Sequence, residues 1–255
     1  MLLKELNLDC SQSLTHILDI SGLLNLEILS IHDCWNLIAI HDSLGFLNKL
    51  KTFNIFGCTN LTSFPPINVT SLPKLELSYF NNLKSYPEIL GDTEHITYIE
   101  LFGTSIEQFP FSFLNLSMLH TLRMYGSGKP HNLSWINANE NDKASSKVSS
   151  NVQFLHLIEC NPSNDFLRRF VNVKVLDLSG SHLTILSEWL KECHFLQRLC
   201  LNDCKYLEEI TGIPPSLKRL SALHCKSLTS SCRSKLLSQV LYFVLELFDF
   251  IFNIS

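Results

Sequence analysis

The chain has 255 residues, 45% hydrophobic and 17% charged, with 20 basic against 24 acidic side chains and a formal net charge of −4. With an isoelectric point near 6.2, this balance provides no basic stripe for nucleic acid and no electrostatic pull toward an anionic membrane. Length sets only a soft prior on domain count, so the organisation is read from pattern.

From the first residues onward one spacing recurs. Windows with apolar residues at offsets 0, 3 and 5 open at Leu3, Leu26, Leu50, Leu72, Ile96, Leu119, Val152, Val173, Leu196 and Leu217, giving steps of 23, 24, 22, 24, 23, 33, 21, 23 and 21 residues. A period of this size marks a solenoid, and the spacing is that of the leucine-rich repeat. Offsets 3 and 5 alternate as in a strand and turn their side chains inward. Stacking the coils about 4.8 Å apart then builds one parallel sheet over one continuous core. The expected fold is an α/β leucine-rich-repeat solenoid of about ten repeats, a curved horseshoe with the sheet on its concave face and an irregular or short-helical convex side. It is one elongated repeat domain over residues 1–232, followed by an apolar tail over residues 233–255.

Offset 8 carries Cys34, Cys58, Thr104, Cys160, Ser181, Cys204 and Cys225, just after each strand. The general repeat has Asn or Cys there, where the chain turns inward. A small, weakly polar side chain fits that place because it packs as a hydrophobe while facing backbone groups of the turn. The ladder is therefore expected to be structural. Metal and disulfide readings are weaker: the nine cysteines are odd in number, and no C-x-x-C pair begins a zinc site. No metal is expected. Reduced thiols in quantity suit a cytoplasmic protein, with the nucleus as an additional location. Glycosylation-type triplets at Asn60, Asn68, Asn115, Asn132 and Asn253 are discounted, because Met1 runs straight into a repeat with no secretory leader.

Offsets 2, 4, 6 and 7 point away from the core onto the concave face, where repeat proteins recognise extended partners. Aromatic and large apolar residues gather there in mid-array: Phe56, Tyr79, Tyr98, Phe102, Tyr125, Phe154 and Ile158. Two readings stand side by side. The rings form a partner-binding hot spot, or they stack from coil to coil and stiffen the sheet. As a test of register, Leu176→Asp is expected to cost several kcal/mol, because it buries an unpaired charge, and Asp177→Ala to stay within about 0.5 kcal/mol.

The long step between Leu119 and Val152 places an insertion at about 126–151. Its Gly, Ser, Asn and charged content predicts a mobile loop. The histidines are scattered and no serine or cysteine is placed with a base by a known motif, so no catalytic residue is assigned. The end, "RSKLLSQVLYFVLELFDFIFNIS", is too short and too charged to span a membrane, with Glu246 and Asp249 inside it. It reads either as a capping amphipathic helix presenting Leu237, Leu241, Val244, Leu245 and Phe248, or as translated intron.

The runs "NLIAIHDSLGFLNKLKTFNIFGCTNLTSFPPI", "YPEILGDTEHITYIELFGTSIEQFPFSFLNL" and "NVKVLDLSGSHLTILSEWLKECHFLQRLCLNDCKYLEEITGIPPSLKRLSALHCKSLTSS" carry C-x-x-L-x-x-F/I-P on some coils and a shorter form on others. They resemble the C-terminal repeats of plant Toll/interleukin-1-receptor-type nucleotide-binding leucine-rich-repeat disease-resistance proteins, over roughly Met1 to Gln239. The resemblance implies a role in effector sensing and autoregulation within plant immunity. The partner would be a pathogen effector, a guarded host protein or an intramolecular switch domain. In that family NAD cleavage and ADP or ATP binding belong to other domains. This chain has no G-x-x-x-x-G-K-[ST] phosphate loop, so no cofactor is expected here, nor any enzyme activity. The start on an uncapped coil suggests a fragment. Two other readings are a substrate-recruiting adaptor of the F-box type and an extracellular repeat receptor. Prolines in "SFPPI", "SYPEIL", "QFPF" and "TGIPPS" oppose the regular helix of the first, and the second would show L-x-G-x-I-P returns and a signal peptide.

Overall fold

The computed structural model describes residues 2–126, 131–136 and 150–236. Ten short strands form a single all-parallel sheet in chain order, one strand per coil, from Glu5–Asn7 in the first coil to Arg219–Ser221 in the tenth. Register is constant. Each offset-3 residue sits beside its counterpart in the next coil, as in Leu122, Leu155, Leu176, Leu199 and Leu220. From the second coil on, the residues at offsets 0, 3 and 5 are buried, down to 0% exposure at Leu29, Leu75, Ile99 and Leu176. Ala222, the weakest match to the template, is only partly covered. Leu3, Leu6 and Leu8 of the first coil are also only partly buried, since among the described residues only one flank of that coil is covered. The apolar template thus fixes the core by stacking, with each coil completing the burial of the one before.

The convex side is built from small pieces. Among the described residues, short 3-10 helices (Asp42–Phe46, Phe111–Asn115, Glu188–Glu192) and a one-turn α-helix, Asn164–Leu167, alternate with two-residue parallel bridges such as Ile67–Asn68 to Ile89–Leu90. Ser163 caps the α-helix, its Oγ accepting from the Phe166 N–H at 3.1 Å.

The insertion departs from the loop expected of it. His131–Trp135 is a strand, paired in parallel with Gln108–Phe109 on one side and Cys160–Pro162 on the other. Leu133 and Trp135 alternate inward. Trp135 joins a convex aromatic cluster, with ring centroids 4.9 Å from Phe166 and 5.9 Å from Phe111. Two apolar residues at strand spacing outweigh a polar surrounding composition, because the sixth coil would otherwise leave Phe109 and Phe166 uncovered. Residues 127–130 and 137–149 of the insertion lie outside the described residues. At the other end, residues 230–236 are helical with Cys232 and Leu236 buried, so the packed array runs a turn past residue 232. The proposed amphipathic face from Leu237 to Phe248 lies outside the described residues.

Candidate protein-binding face

The turn after each strand is where the repeat is made, and its geometry shows a column that the apolar pattern did not. At offset 7 the backbone is left-handed in every coil but the sixth: Cys10, Asp33, Gly57, Tyr79, Gly103, Glu159, Gly180, Asp203 and His224 have φ between 51° and 73°. The signal was present as the glycines at 57, 103 and 180, which adopt this conformation without steric cost. The reversal drops the next residue, offset 8, into the core.

There the ladder makes a repeating hydrogen bond. The Sγ of Cys34, Cys58, Cys204 and Cys225 lies 3.1, 3.4, 3.2 and 2.9 Å from the carbonyls of Leu8, Ile31, Leu178 and Leu201. Each acceptor is the offset-5 residue of the preceding coil. Cys160 instead donates to its own coil at Ile158. Ser181 Oγ lies 3.3 Å from Cys204 Sγ, and Thr104 is buried at the same offset. In the fourth coil Phe80 takes the place, fully buried. In two coils a polar offset-6 side chain supports this arrangement: Asp9 accepts from the His32 N–H at 2.7 Å and Asn202 from the Leu223 N–H at 3.0 Å. Those bonds leave the Leu8 and Leu201 carbonyls to the thiols of Cys34 and Cys225. Burial pushes the thiols of Cys58 and Cys160 up to about 12, which keeps them protonated donors at neutral pH.

The concave face above this frame separates the candidate residues into two rows. Phe56, Tyr79, Phe102 and Tyr125 form a continuous line of rings across coils three to six. Successive centroids are 4.8, 5.2 and 5.6 Å apart, and the first two contacts are edge-to-face. His32 begins the line in the second coil, 6.2 Å from Phe56, and Ile158 extends it by standing beside Tyr125 in sheet register. Tyr79 is in line although Ser78 holds offset 6, because its left-handed backbone (φ 59°) swings the ring over its own coil. The other row lies at the strand starts. Tyr98 donates its hydroxyl to Glu100 and has the Arg123 guanidinium 5.8 Å above its ring. Partial burial and that bond push its phenol up to about 12. Phe154 packs on His120 at 4.8 Å. Tyr98 and Phe154 are separated by the coil of Thr121 and do not join the main line.

One expectation is corrected on this face. Asp177 is not a free outward neighbour of Leu176. Its carboxylate accepts from the Ser179 N–H at 3.0 Å and the Ser179 hydroxyl at 2.6 Å, with His156 Nδ1 at 3.9 Å. Burial raises its pKa, but these hydrogen bonds together outweigh that effect and hold the carboxyl below its ordinary range.

No protein-family model matches the chain. Curated relatives do. Disease resistance protein RPS4B of Arabidopsis thaliana is 30% identical over 201 residues, 73% of this chain and 17% of its own length. Disease resistance protein RPP4 of the same plant is 32% identical over 89% of this chain and 17% of its own length. TMV resistance protein N of Nicotiana glutinosa is 34% identical over 43% of this chain and 10% of its own length. The chain therefore spans less than a fifth of each of these relatives. Among solved structures, an internalin of Listeria monocytogenes aligns over 86% of either chain at 12% identity with a TM-score of 0.28, so the fold is read from this chain's own ten-stranded sheet. The homologues of the array are plant disease-resistance proteins of the Toll/interleukin-1-receptor-type nucleotide-binding leucine-rich-repeat class, and the chain is kin to their repeat region.

Proposed function

We propose that the concave face is a protein-recognition surface within a plant immune receptor. It engages a pathogen effector, a guarded host protein or the receptor's own switch domain, in the cytoplasm or nucleus, and contributes to defence signalling without catalysing a reaction. The observation that carries the reading is the ring line itself. Phe56, Tyr79 and Phe102 are 40%, 40% and 41% exposed while each is held by ring contacts on its neighbours. A row of half-exposed rings fixed in place has the composition and rigidity of an interface hot spot, since little side-chain freedom is lost on binding. The buried thiols suit a reducing compartment.

The test compares binding and melting on the same variants. Phe56→Ala, Phe102→Ala and Tyr125→Ala should each weaken a captured partner by about 1 to 3 kcal/mol. Loss of one or two ring contacts should cost folding stability about 0.5 to 3 kcal/mol. Lowered melting with affinity unchanged in all three would assign the rings to stiffening alone.

A further inference from the structure

We infer that coils eight to ten carry a second subsite on the concave face, built for a short acidic, carboxylate-bearing segment of a protein partner. Lys174, Arg198, Lys218 and Arg219 surround a hollow of about 340 Å³, with Phe154 and Gln197 on its wall. All four cations are exposed. The sheet fixes their spacing: Arg198 and Arg219 are direct register partners, and Lys174 accepts at its carbonyl from the Gln197 and Arg198 N–H groups.

Two like charges set directly opposite on a sheet repel, and the fold does nothing here to relieve them. Elsewhere on the array several exposed cations meet acids. Lys4 and Lys51 share Glu27, Lys74 reaches Glu76, Lys84 reaches Glu107, and Lys191 reaches Glu188. Among the described residues no carboxylate pairs with any of the four cations in question. Asp177, the acid of the eighth strand, is already held by Ser179 and His156.

A cationic cluster left uncompensated in a chain of net charge −4 is electrostatically complementary to an external anion. Two arginines in register offer planar forks that match carboxylates bidentately. From the eighth to the tenth coil is two steps, about 10 Å, or about three residues of extended chain. Phe154 provides an apolar wall for a side chain between the acids. A nucleic acid fits less well, because Glu76, Glu100 and Asp177 line the same face and would repel a longer polyanion. The subsite rests on the concave face being a recognition surface, but not on the aromatic line.

The experiment titrates the full chain into a fluorescein-labelled octapeptide of glutamates with one central phenylalanine, read by anisotropy. Binding should weaken at least about threefold between about 50 and about 300 mM salt. Arg198→Gln combined with Arg219→Gln should weaken it about tenfold or more while the melting temperature holds or rises, because a repulsion is removed. Lys205→Gln with Lys226→Gln, which removes the same charge from exposed positions outside the hollow, should stay within about twofold. Phe56→Ala with Phe102→Ala should also stay within about twofold, so that failure of the aromatic reading and failure of this one are told apart. The inference is overturned by absent binding, by equal binding of the glutamine counterpart peptide, by equal affinity in the double arginine variant, or by an oligonucleotide of equal charge binding more tightly than the peptide.

Discussion

The pair Leu176 and Asp177 tests the coil geometry most directly, because adjacent residues on one strand face opposite environments. Leu176 is fully buried between its register partners Leu155 and Leu199, which are fully buried as well. Leu176→Asp removes a leucine side chain from a packed row, at about 2 to 5 kcal/mol, and adds a carboxylate with no partner. The sum should exceed about 4 kcal/mol. Asp177→Ala removes the acceptor for two short bonds from Ser179 and the partner of His156. That loss should be about 1 to 2 kcal/mol, above the half unit expected of an unengaged surface aspartate. The Asp177 carboxyl is held below its ordinary range, so the stability it adds is present above pH about 4 and fades as pH falls below that value. Urea melts at pH 7 and pH 3 measure both effects, and the gap between wild type and Asp177→Ala should narrow at the lower pH. Equal losses for the two variants at pH 7 would falsify the assigned strand register. A loss below about 0.5 kcal/mol for Asp177→Ala would show that the Ser179 bonds merely replace solvent.

Three further outcomes are expected. Trp135→Ala should cost about 3 to 5 kcal/mol by thermal or urea melt, since its ring packs on Phe111 and Phe166; a change under about 1 kcal/mol would return the insertion to the status of a surface loop. In the native protein a thiol reagent should modify exposed Cys10 first. Cys58, Cys160 and Cys193, buried with thiols pushed up to about 12, should react only on unfolding, and all nine cysteines should then be alkylated without prior reduction. Glu27, bonded by Lys4 and Lys51 across three coils, should titrate near about 2 by NMR against an ordinary 4.5. Its contribution to stability is therefore complete above the ordinary value and lost as pH falls toward the folded one, and Lys51→Ala should move the midpoint upward.

The sheet, its register and the offset-8 ladder were legible in the sequence because each rests on a repeated demand. The inward strand positions repeat an apolar class coil after coil, and offset 8 repeats a small, weakly polar class in most coils, with Phe80 in the fourth as a departure. The left-handed column at offset 7 was hidden because the demand there is on backbone conformation. Gly57 and Gly103 satisfy it without strain, whereas Tyr79, Glu159 and His224 satisfy it at a cost of roughly 1 to 2 kcal/mol each, so no single residue class marks the column. The Trp135 strand was hidden for a different reason. Its partners Phe109 and Phe166 lie in neighbouring coils, and composition counted over the insertion alone carries no information about what waits on either side. Asp177 was missed for a local reason: its hydrogen bonds come from Ser179 two residues on, a side-chain-to-turn contact that an inward-or-outward offset rule does not consider.

The aromatic line resolves into something the two sequence readings treated as opposed. The rings meet edge to face along the coils, so they do stiffen the sheet, each contact adding about 0.5 to 1.5 kcal/mol. The same contacts lock rotamers that leave two-fifths of Phe56, Tyr79 and Phe102 facing outward. A side chain already immobilised loses little entropy when a partner covers it, so stiffness raises the worth of the remaining surface. Stacking within the sheet and the recognition proposed above it would therefore reinforce one another at these positions. The cations lie two to four coils beyond Tyr125, so the subsite inferred there would add charge selectivity at a separate location, and a partner's apolar contacts and its acidic groups would be read independently.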